Sequence, residues 1–134
     1  MQHLSMIQFI LYVKDQQASA AFYQQLFRRS PDLHVPGMTE FNLAENCKLG
    51  LMPNKGIARI LAGQTPHPDE GNGIPRCELY WYVPDVQQEL THALGCGAQL
   101  ISEAQDRDWG DYAGYIADPD GHIIAFAAKI AGRS

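Results

Sequence analysis

Apolar residues alternate with other residues in two stretches of the chain, residues 6–15 and residues 76–85. An alternation of period two is typical of a β-strand that buries one face. Both stretches end in Val, one variable residue and Asp, and the two valines lie 70 residues apart. We expect the apolar face of each strand to lie against a helix; these faces comprise Ile7, Phe9, Leu11 and Val13, then Cys77, Leu79, Trp81 and Val83.

A helical pattern follows each of these strands. Residues 16–27 and 86–94 carry apolar side chains at intervals of three and four, and Asp15 and Asp85 precede them as natural N-caps. Short strand-like runs with turn signals come next in both halves. The order is therefore β-α-β-β-β twice, joined by a Pro/Gly-rich connection.

The internal repeat predicts an α+β fold built from two βαβββ modules in tandem. We place the first module at residues 1–60, a linker at 61–75 and the second module at 76–130, within a single domain of residues 1–134. Two copies of an incomplete sheet usually pack to complete one another, so we expect a curved mixed β-sheet with helices outside. The alternative is one α+β domain whose halves are alike by chance.

The second face of each first strand carries polar and aromatic side chains. Gln8 and Glu78 occupy equivalent positions, and Tyr12, Tyr80 and Tyr82 share their faces. If the sheets curl around a common cleft, these side chains line it. Glu78 in such a cleft is a candidate acid or base. A purely structural role, through a hydrogen bond to a tyrosine hydroxyl or an ion pair with Arg76 or another arginine, explains it as readily.

Charge and cysteine usage exclude several classes of partner. The net charge is −5 and no basic stripe is present, which argues against nucleic acid and anionic membranes as partners. The first residues lack a charged leader and a cleavage site, so we expect no signal peptide, and no apolar run reaches membrane-spanning length. The three cysteines have no paired spacing, which favours reduced thiols and a cytoplasmic location.

The paired modules, the opening FILYVKDQQASAAFY and above all RDWGDYAGYIADPDGHIIAF resemble the vicinal oxygen chelate superfamily. This superfamily holds glyoxalases, extradiol dioxygenases and bleomycin-resistance proteins. The Trp-Gly pair, followed about seven residues later by Asp-Pro-Asp-Gly, is especially similar to bleomycin-resistance members. The resemblance covers nearly the whole chain and implies the same paired-module fold, but the scaffold hosts several chemistries.

The resemblance also implies where a metal would lie. Metal enzymes of the superfamily hold a divalent ion with His, Glu or Gln at four strand positions, two in each module. These positions correspond to Gln8 and Glu78 on the first strands, Ala125 on the last strand, and Gly50 or Leu51 in the first module. An alanine methyl group cannot bind a cation, so we expect no metal and no other cofactor.

The histidines do not replace the missing ligands. His122 has the wrong strand parity and His3 is out of register with Gln8, while His92 lies on the second helix. His34 and His67 are assigned to loops, and the HPDE segment at residues 67–70 is interpreted as a solvated loop.

Trp109 is the most suggestive residue for binding, because an indole in a polar loop can stack on a flat or cationic ligand. Packing against another subunit or the cleft rim explains it equally well, and the same holds for Tyr112. Tyr115 shares a face with Ala113 and Ala117, and these small side chains, together with Ala125, would leave room for an organic ligand. The predicted ligand-binding set is Gln8, Tyr12, Tyr82, Trp109, Tyr112 and Tyr115.

Two classes of function remain open. The first is a metal-independent protein that binds a small molecule, such as an antibiotic or an aromatic metabolite, in a homodimer. The second is a glyoxalase-type enzyme that uses a metal, and the missing ligands count against it. A metal-free enzyme with Glu78 as general base is a weaker third alternative.

Overall fold

The computed structural model describes residues 6–131, which form two compact units with the boundary between Asn72 and Gly73. Each unit contains one four-stranded mixed sheet, with two α-helices packed on the first sheet and one on the second among the described residues. This confirms the α+β fold and the tandem βαβββ modules. The predicted curved sheet is present as two sheets, one in each module.

The first module has its strands in the order β1-β4-β3-β2, with β1 and β4 parallel and the other pairs antiparallel. Helix α1 packs on β3 and β4, and α2 packs on β4 and β1. The elements are β1 (Ile7–Val13), α1 (Gln16–Phe27), β2 (Leu33–Val35), β3 (Met38–Ala44), β4 (Cys47–Pro53) and α2 (Asn54–Leu61).

The second module has the same order, β5-β8-β7-β6, and the same single parallel pair, β5 with β8. Helix α3 packs on β6, β7 and β8. The elements are β5 (Glu78–Tyr82), α3 (Val86–Gly95), β6 (Gln99–Asp106), β7 (Asp111–Ala117) and β8 (Ile123–Lys129).

The two modules have the same strand register as well as the same strand order. Ile10 pairs with Gly50 in the first sheet, and Tyr80 pairs with Ala125 in the second. The residue of the first module that is equivalent to Ala125, at the superfamily metal position on the last strand, is therefore Gly50 and not Leu51. Leu51 is fully buried on the other face of β4, because neighbouring residues of a strand point to opposite faces.

The predicted helix starts are confirmed. The carboxylate of Asp15 accepts a hydrogen bond from the backbone N–H of Ala18, and that of Asp85 accepts one from Gln88, each at 3.0 Å. Each aspartate thus satisfies one of the backbone N–H groups left without a partner in the first turn of its helix.

The helix-facing side of β1 is buried over only part of its length. Val13 is fully buried, as expected, whereas Phe9 is 60% exposed and Ile7 is 39% exposed. The expectation of a continuous buried face was wrong because α1 lies over β3 and β4, not over the start of β1.

A close helix–sheet contact organises the second module. A Cβ at Gly114 in β7 would lie 2.6 Å from Cδ1 of Leu90, a buried residue of α3. Only glycine leaves room for this approach of α3 to the sheet. Trp81 packs against the buried ring of Phe126 with centroids 5.5 Å apart, on the helix-facing side as predicted.

The segment between the modules is more ordered than its composition indicates. Helix α2 begins at Asn54 and runs into the predicted linker, and a 3-10 helix (Pro68–Gly71) follows. The HPDE segment is therefore not a loop: His67 and Glu70 form a capping box around this turn. His34 lies in β2, and its Nδ1 is 2.7 Å from the hydroxyl of Thr39. His3 lies outside the described residues.

Within residues 6–131, no helix combines the length and hydropathy needed to cross a membrane.

Candidate functional site

A buried carboxylate, Asp111, lies at the centre of a polar and aromatic cluster in the second module. Its side chain is fully buried, and its Oδ2 accepts hydrogen bonds from the hydroxyls of Tyr80 at 2.7 Å and Tyr82 at 2.8 Å. The ammonium of Lys129 lies 3.5 Å from its other oxygen. The burial of this carboxylate is thus compensated by two donors and one positive charge.

Strand register brings these four side chains together. Asp111 at the start of β7 pairs with Lys129 at the end of β8, and β5 lies on the other side of β8. Tyr80 and Tyr82 are two residues apart on β5, so both point to the face that carries Asp111. Their rings meet edge to face, with centroids 5.4 Å apart.

Trp109 joins this cluster from the turn that precedes β7. Its indole N–H donates to the hydroxyl of Tyr80 at 2.8 Å, while the residue is 57% exposed. The turn is closed by hydrogen bonds from the Arg107 N–H to the Asp111 carbonyl and from the Gly110 N–H to the Arg107 carbonyl. Gly110 has a φ of 94°, a conformation that favours glycine. The indole is therefore held at one edge and open to solvent elsewhere.

The cluster fixes the protonation of its members. The hydrogen bond from Tyr80 lowers the pKa of Asp111; burial opposes this, while the bond from Tyr82 and the charge of Lys129 lower the pKa further. Burial raises the pKa of Tyr80 to about 12. The charge of Asp111 raises the pKa of Lys129. At neutral pH the carboxylate is ionised, and Tyr80 and Lys129 are protonated.

Tyr115 lies on the same face, beside a second cation. The Arg107 guanidinium stands 5.1 Å from the centre of the Tyr115 ring and is held by hydrogen bonds to the Ala113 carbonyl. Burial raises the pKa of Tyr115, and the negative charge of Glu78 raises it further. Glu78 itself is exposed at the start of β5 and shares this face. The structure thus places Glu78 near Tyr115, in contact with solvent.

The small residues beside Tyr115 do not border open space. Ala113 and Ala125 are fully buried, and Ala117 is nearly so. The expectation that their small size leaves room for a ligand was therefore wrong, because these residues have almost no surface open to solvent. The exposed surface on this face is provided by larger side chains, chiefly Trp109 and Tyr82, which is 51% exposed.

Tyr112 does not join the cluster. Its hydroxyl accepts a hydrogen bond from the amide of Gln87 in α3 at 2.9 Å, which places it on the helix-covered face of the sheet. Adjacent strand residues point to opposite faces, so Tyr112 and Asp111 cannot share one. The sequence-based grouping of Tyr112 with Trp109 and Tyr115 is corrected accordingly.

Gln8 and Tyr12 belong to the first module, where Gln8 takes part in a separate polar network. Its amide nitrogen donates to Glu40 Oε2 at 3.1 Å, and Lys48 Nζ lies 3.0 Å from Glu40 Oε1. Tyr12 lies on the same face of β1 and is 39% exposed. Gly50 is the small residue that this network requires, because a Cβ there would lie 2.5 Å from the Gln8 amide nitrogen.

The residues at the four superfamily metal positions do not fit a divalent metal. Gly50 and Ala125 carry no donor atom, so each sheet supplies only one side-chain ligand at these positions, Gln8 or Glu78. The amide nitrogen of Gln8 is directed at Glu40, an acceptor. In the described part of the chain, no three His, Cys, Asp or Glu side chains come together in a group suited to a metal. A divalent ion with so few ligands stays mostly hydrated and weakly held.

The first module also has a shallow groove of about 320 Å³ beside α2. None of the site residues predicted from the sequence borders it. It is lined by Gly37, Met52, Gly56, Arg59 and Ile60.

Three residues that organise these clusters were missed from the sequence: Asp111, Lys129 and Glu40. Asp111 could have been found by parity, since it shares a strand face with Ala113 and Tyr115 and is a charged residue in an otherwise apolar run. Lys129 and Glu40 gave no comparable signal, because charged residues at these positions usually face solvent.

Comparison with known proteins gives the family. The family model described as a glyoxalase-like domain matches residues 8–126. An uncharacterised protein of Mycobacterium bovis is 28% identical over 115 residues, which cover 84% of this chain and 75% of the relative.

Two solved structures share the fold. A glyoxalase/bleomycin resistance protein/dioxygenase family enzyme from Burkholderia phytofirmans has a TM-score of 0.79 at 18% identity, covering 96% of this chain and all of the other. A glyoxalase-related enzyme from Fulvimarina pelagi has a TM-score of 0.75 at 22% identity, covering all of this chain and 96% of the other. With the family match and the repeated βαβββ topology, the chain belongs to the glyoxalase-like domain family of the vicinal oxygen chelate superfamily.

Proposed function

We propose that this chain is a metal-independent small-molecule-binding protein of the glyoxalase/bleomycin-resistance type. Its ligand is a planar organic molecule, such as an aromatic metabolite or an antibiotic, that stacks on Trp109. The exposed and anchored indole carries this proposal. Exposed aromatic rings held in one orientation lose little conformational freedom when a flat ligand stacks on them.

The surroundings of Trp109 support a binding surface. Tyr82 is half exposed and is tied to the same carboxylate as Tyr80, the partner of the indole. Trp109 and Tyr82 are thus both connected to the Asp111 carboxylate, Trp109 through Tyr80, so neither ring has to be ordered when a ligand binds. Preorganisation of this kind raises affinity because less entropy is lost on binding.

The side chains at the four superfamily metal positions support a function that needs no metal. Gly50 and Ala125 replace side chains that could bind a cation, and Gln8 is committed to Glu40. A ligand would therefore be held by stacking, apolar contact and hydrogen bonds.

A thermal-shift screen of planar compounds tests the proposal. Some compounds should raise the melting temperature, since a ligand that binds only the folded state stabilises it, and chelator should not change the result. Trp109→Ala should weaken binding by roughly 1–3 kcal/mol, the range for a stacked base on an aromatic residue, and leave the free protein nearly as stable. Trp81→Phe is the matched control, because Trp81 packs on the other face.

Two results would reject the proposal. One is that no planar compound stabilises the protein. The other is that Trp109→Ala lowers the melting temperature strongly while affinity stays the same, which would assign Trp109 to packing.

A metal-free lyase or isomerase with Glu78 as general base is the alternative function. The placement of Glu78 on the face of Tyr115, close enough for its charge to affect that phenol, favours it over a metal-dependent reaction. Glu78→Gln would abolish turnover of a glyoxalase-type substrate in this alternative. Ligand binding without turnover in the wild-type protein would exclude it.

We further propose that the protein is a cytoplasmic homodimer. Exposed apolar side chains on β1, at Ile7 and Phe9, support a second copy as partner, and the fact that Cys47, Cys77 and Cys96 form no disulfide supports a reducing compartment. Light scattering that gives the mass of one chain would contradict the dimer, and fractionation that finds the protein outside the cytoplasm would contradict the location.

A further inference from the structure

The buried carboxylate fixes where the hydroxyl hydrogens of two tyrosines point. An ionised carboxylate accepts hydrogen bonds and cannot donate them. Because Oδ2 of Asp111 lies 2.7 Å from the Tyr80 hydroxyl and 2.8 Å from the Tyr82 hydroxyl, both phenols must donate to Asp111. Neither phenol hydrogen is then available to a ligand.

The indole hydrogen is committed in the same way. The N–H of Trp109 can only donate, and it donates to the Tyr80 oxygen at 2.8 Å. Tyr80 therefore both donates and accepts within the cluster. Tyr82 donates to Asp111, and the Lys129 ammonium can donate to its oxygen, so one lone pair of that oxygen remains for a ligand, and the residue is 51% exposed.

We infer that the ligand of this face carries a hydrogen-bond donor, such as a ring hydroxyl, amino or amide group, which the Tyr82 oxygen accepts while the planar body lies on Trp109. The inference rests on the proposed function and adds the polarity of the ligand. A phenol that donates to a carboxylate becomes a better acceptor, because hydrogen bonds in a chain polarise one another.

The charged groups around the cluster determine which probes can test this. The Lys129 ammonium stands 5.4 Å from the centre of the Tyr82 ring and could attract an anion. Arg107 is fastened to backbone carbonyls and lies against Tyr115, and exposed Glu78 could attract a cation. Uncharged probes keep these three charges from deciding the outcome.

The experiment compares 2-naphthol with 2-methoxynaphthalene by isothermal titration calorimetry at neutral pH. The two probes share a planar body, and only 2-naphthol can donate. A net hydrogen bond is worth about 0.5–1.5 kcal/mol, so 2-naphthol should bind roughly twofold to tenfold more tightly.

Three variants test whether the Tyr82 oxygen is the hydrogen-bond acceptor. Tyr82→Phe removes the oxygen and should abolish the preference while both probes still bind. Tyr112→Phe is the matched control, since it removes a phenol from the opposite face of the sheet, and it should retain the preference. Asp111→Asn introduces an amide that can donate to the phenols, so a phenol hydrogen can then point towards the ligand. The preference for 2-naphthol over 2-methoxynaphthalene should therefore become smaller or reverse.

The outcomes separate the inference from the proposed function. Equal affinity of the two probes for the wild-type protein, or an unchanged preference in Tyr82→Phe, overturns the inference and leaves planar-ligand binding in place. Binding of neither probe overturns the inference, while the proposed function is judged independently by the screen of planar compounds and by Trp109→Ala.

Discussion

At the scale of single residues, the second module is organised by Asp111. A buried aspartate with no partners would be strongly destabilising, and here two phenols and an ammonium surround it. The arrangement also determines what Trp109 can do, because the indole is held through Tyr80. The binding surface and the buried charge are therefore parts of one network.

Tyr80 gives a direct spectroscopic test of this network. Because burial raises its pKa to about 12, from an ordinary value of 10.0, Tyr80 should ionise late in an absorbance titration. Tyr80→Phe should reduce this late absorbance change and leave the part that belongs to Tyr115, whose pKa is also raised. A raised pKa means that the folded state favours the neutral phenol. The stability that this provides is present below about pH 10 and is lost as the pH rises towards 12. A titration that is the same in the variant would contradict the assignment.

How far the site could be predicted depends on the residue. Alternation placed Glu78 with Tyr82, and Tyr115 with Ala113, because strand parity is a local property. That both pairs share one face of the sheet follows from the register of β5, β8 and β7. Strand parity also predicts that Tyr112 lies on the opposite face of its strand from Tyr115. The complete burial of Ala113 and Ala125 could not be predicted, because burial depends on tertiary packing and not on strand parity alone.

At the scale of elements, the repeat was readable from the sequence because its strands and caps carry local signals, namely the Val-x-Asp endings and the aspartate N-caps. Helix α2 was not readable. Its sequence, NKGIARIL, follows a proline, contains a glycine and precedes a Gly/Pro-rich segment, all of which indicate a linker. Contacts with β4, β1 and the 3-10 helix offset the weak helix propensity of its glycine.

Two glycines in adjoining elements test this description. Gly56 lies inside α2 with nothing near its missing Cβ, so Gly56→Ala should stabilise the protein by about 0.5–1 kcal/mol. Gly50→Ala in β4 should instead destabilise it by roughly 1 kcal/mol, because the new methyl group displaces the Gln8 amide from Glu40.

Urea unfolding measures both changes. Gln8→Ala supplies the control for the second, since the cost of Gly50→Ala should fall when the amide is already absent. Destabilisation by Gly56→Ala would contradict the helix, and a cost at Gly50 that is independent of Gln8 would contradict the network.

At the scale of the whole molecule, each module presents the family's strand topology with an incomplete set of metal ligands. The two modules depart from the metal pattern differently. The first has Gly50 beside a network of Gln8, Glu40 and Lys48, and the second has Ala125, which is fully buried. The second module alone adds an exposed indole beside the same face, which is where we expect the ligand.

The most direct test of this account is the indole N–H resonance of Trp109 in ¹⁵N-labelled Trp81→Phe protein, which retains Trp109 as its single tryptophan. The protein is titrated with 2-naphthol, once with EDTA and once with Zn²⁺. We predict that the resonance shifts in a saturable manner, with the same midpoint in both titrations. A shift that requires Zn²⁺, or a Trp109 resonance that stays in place while resonances of other residues move, would contradict metal-independent binding at this tryptophan.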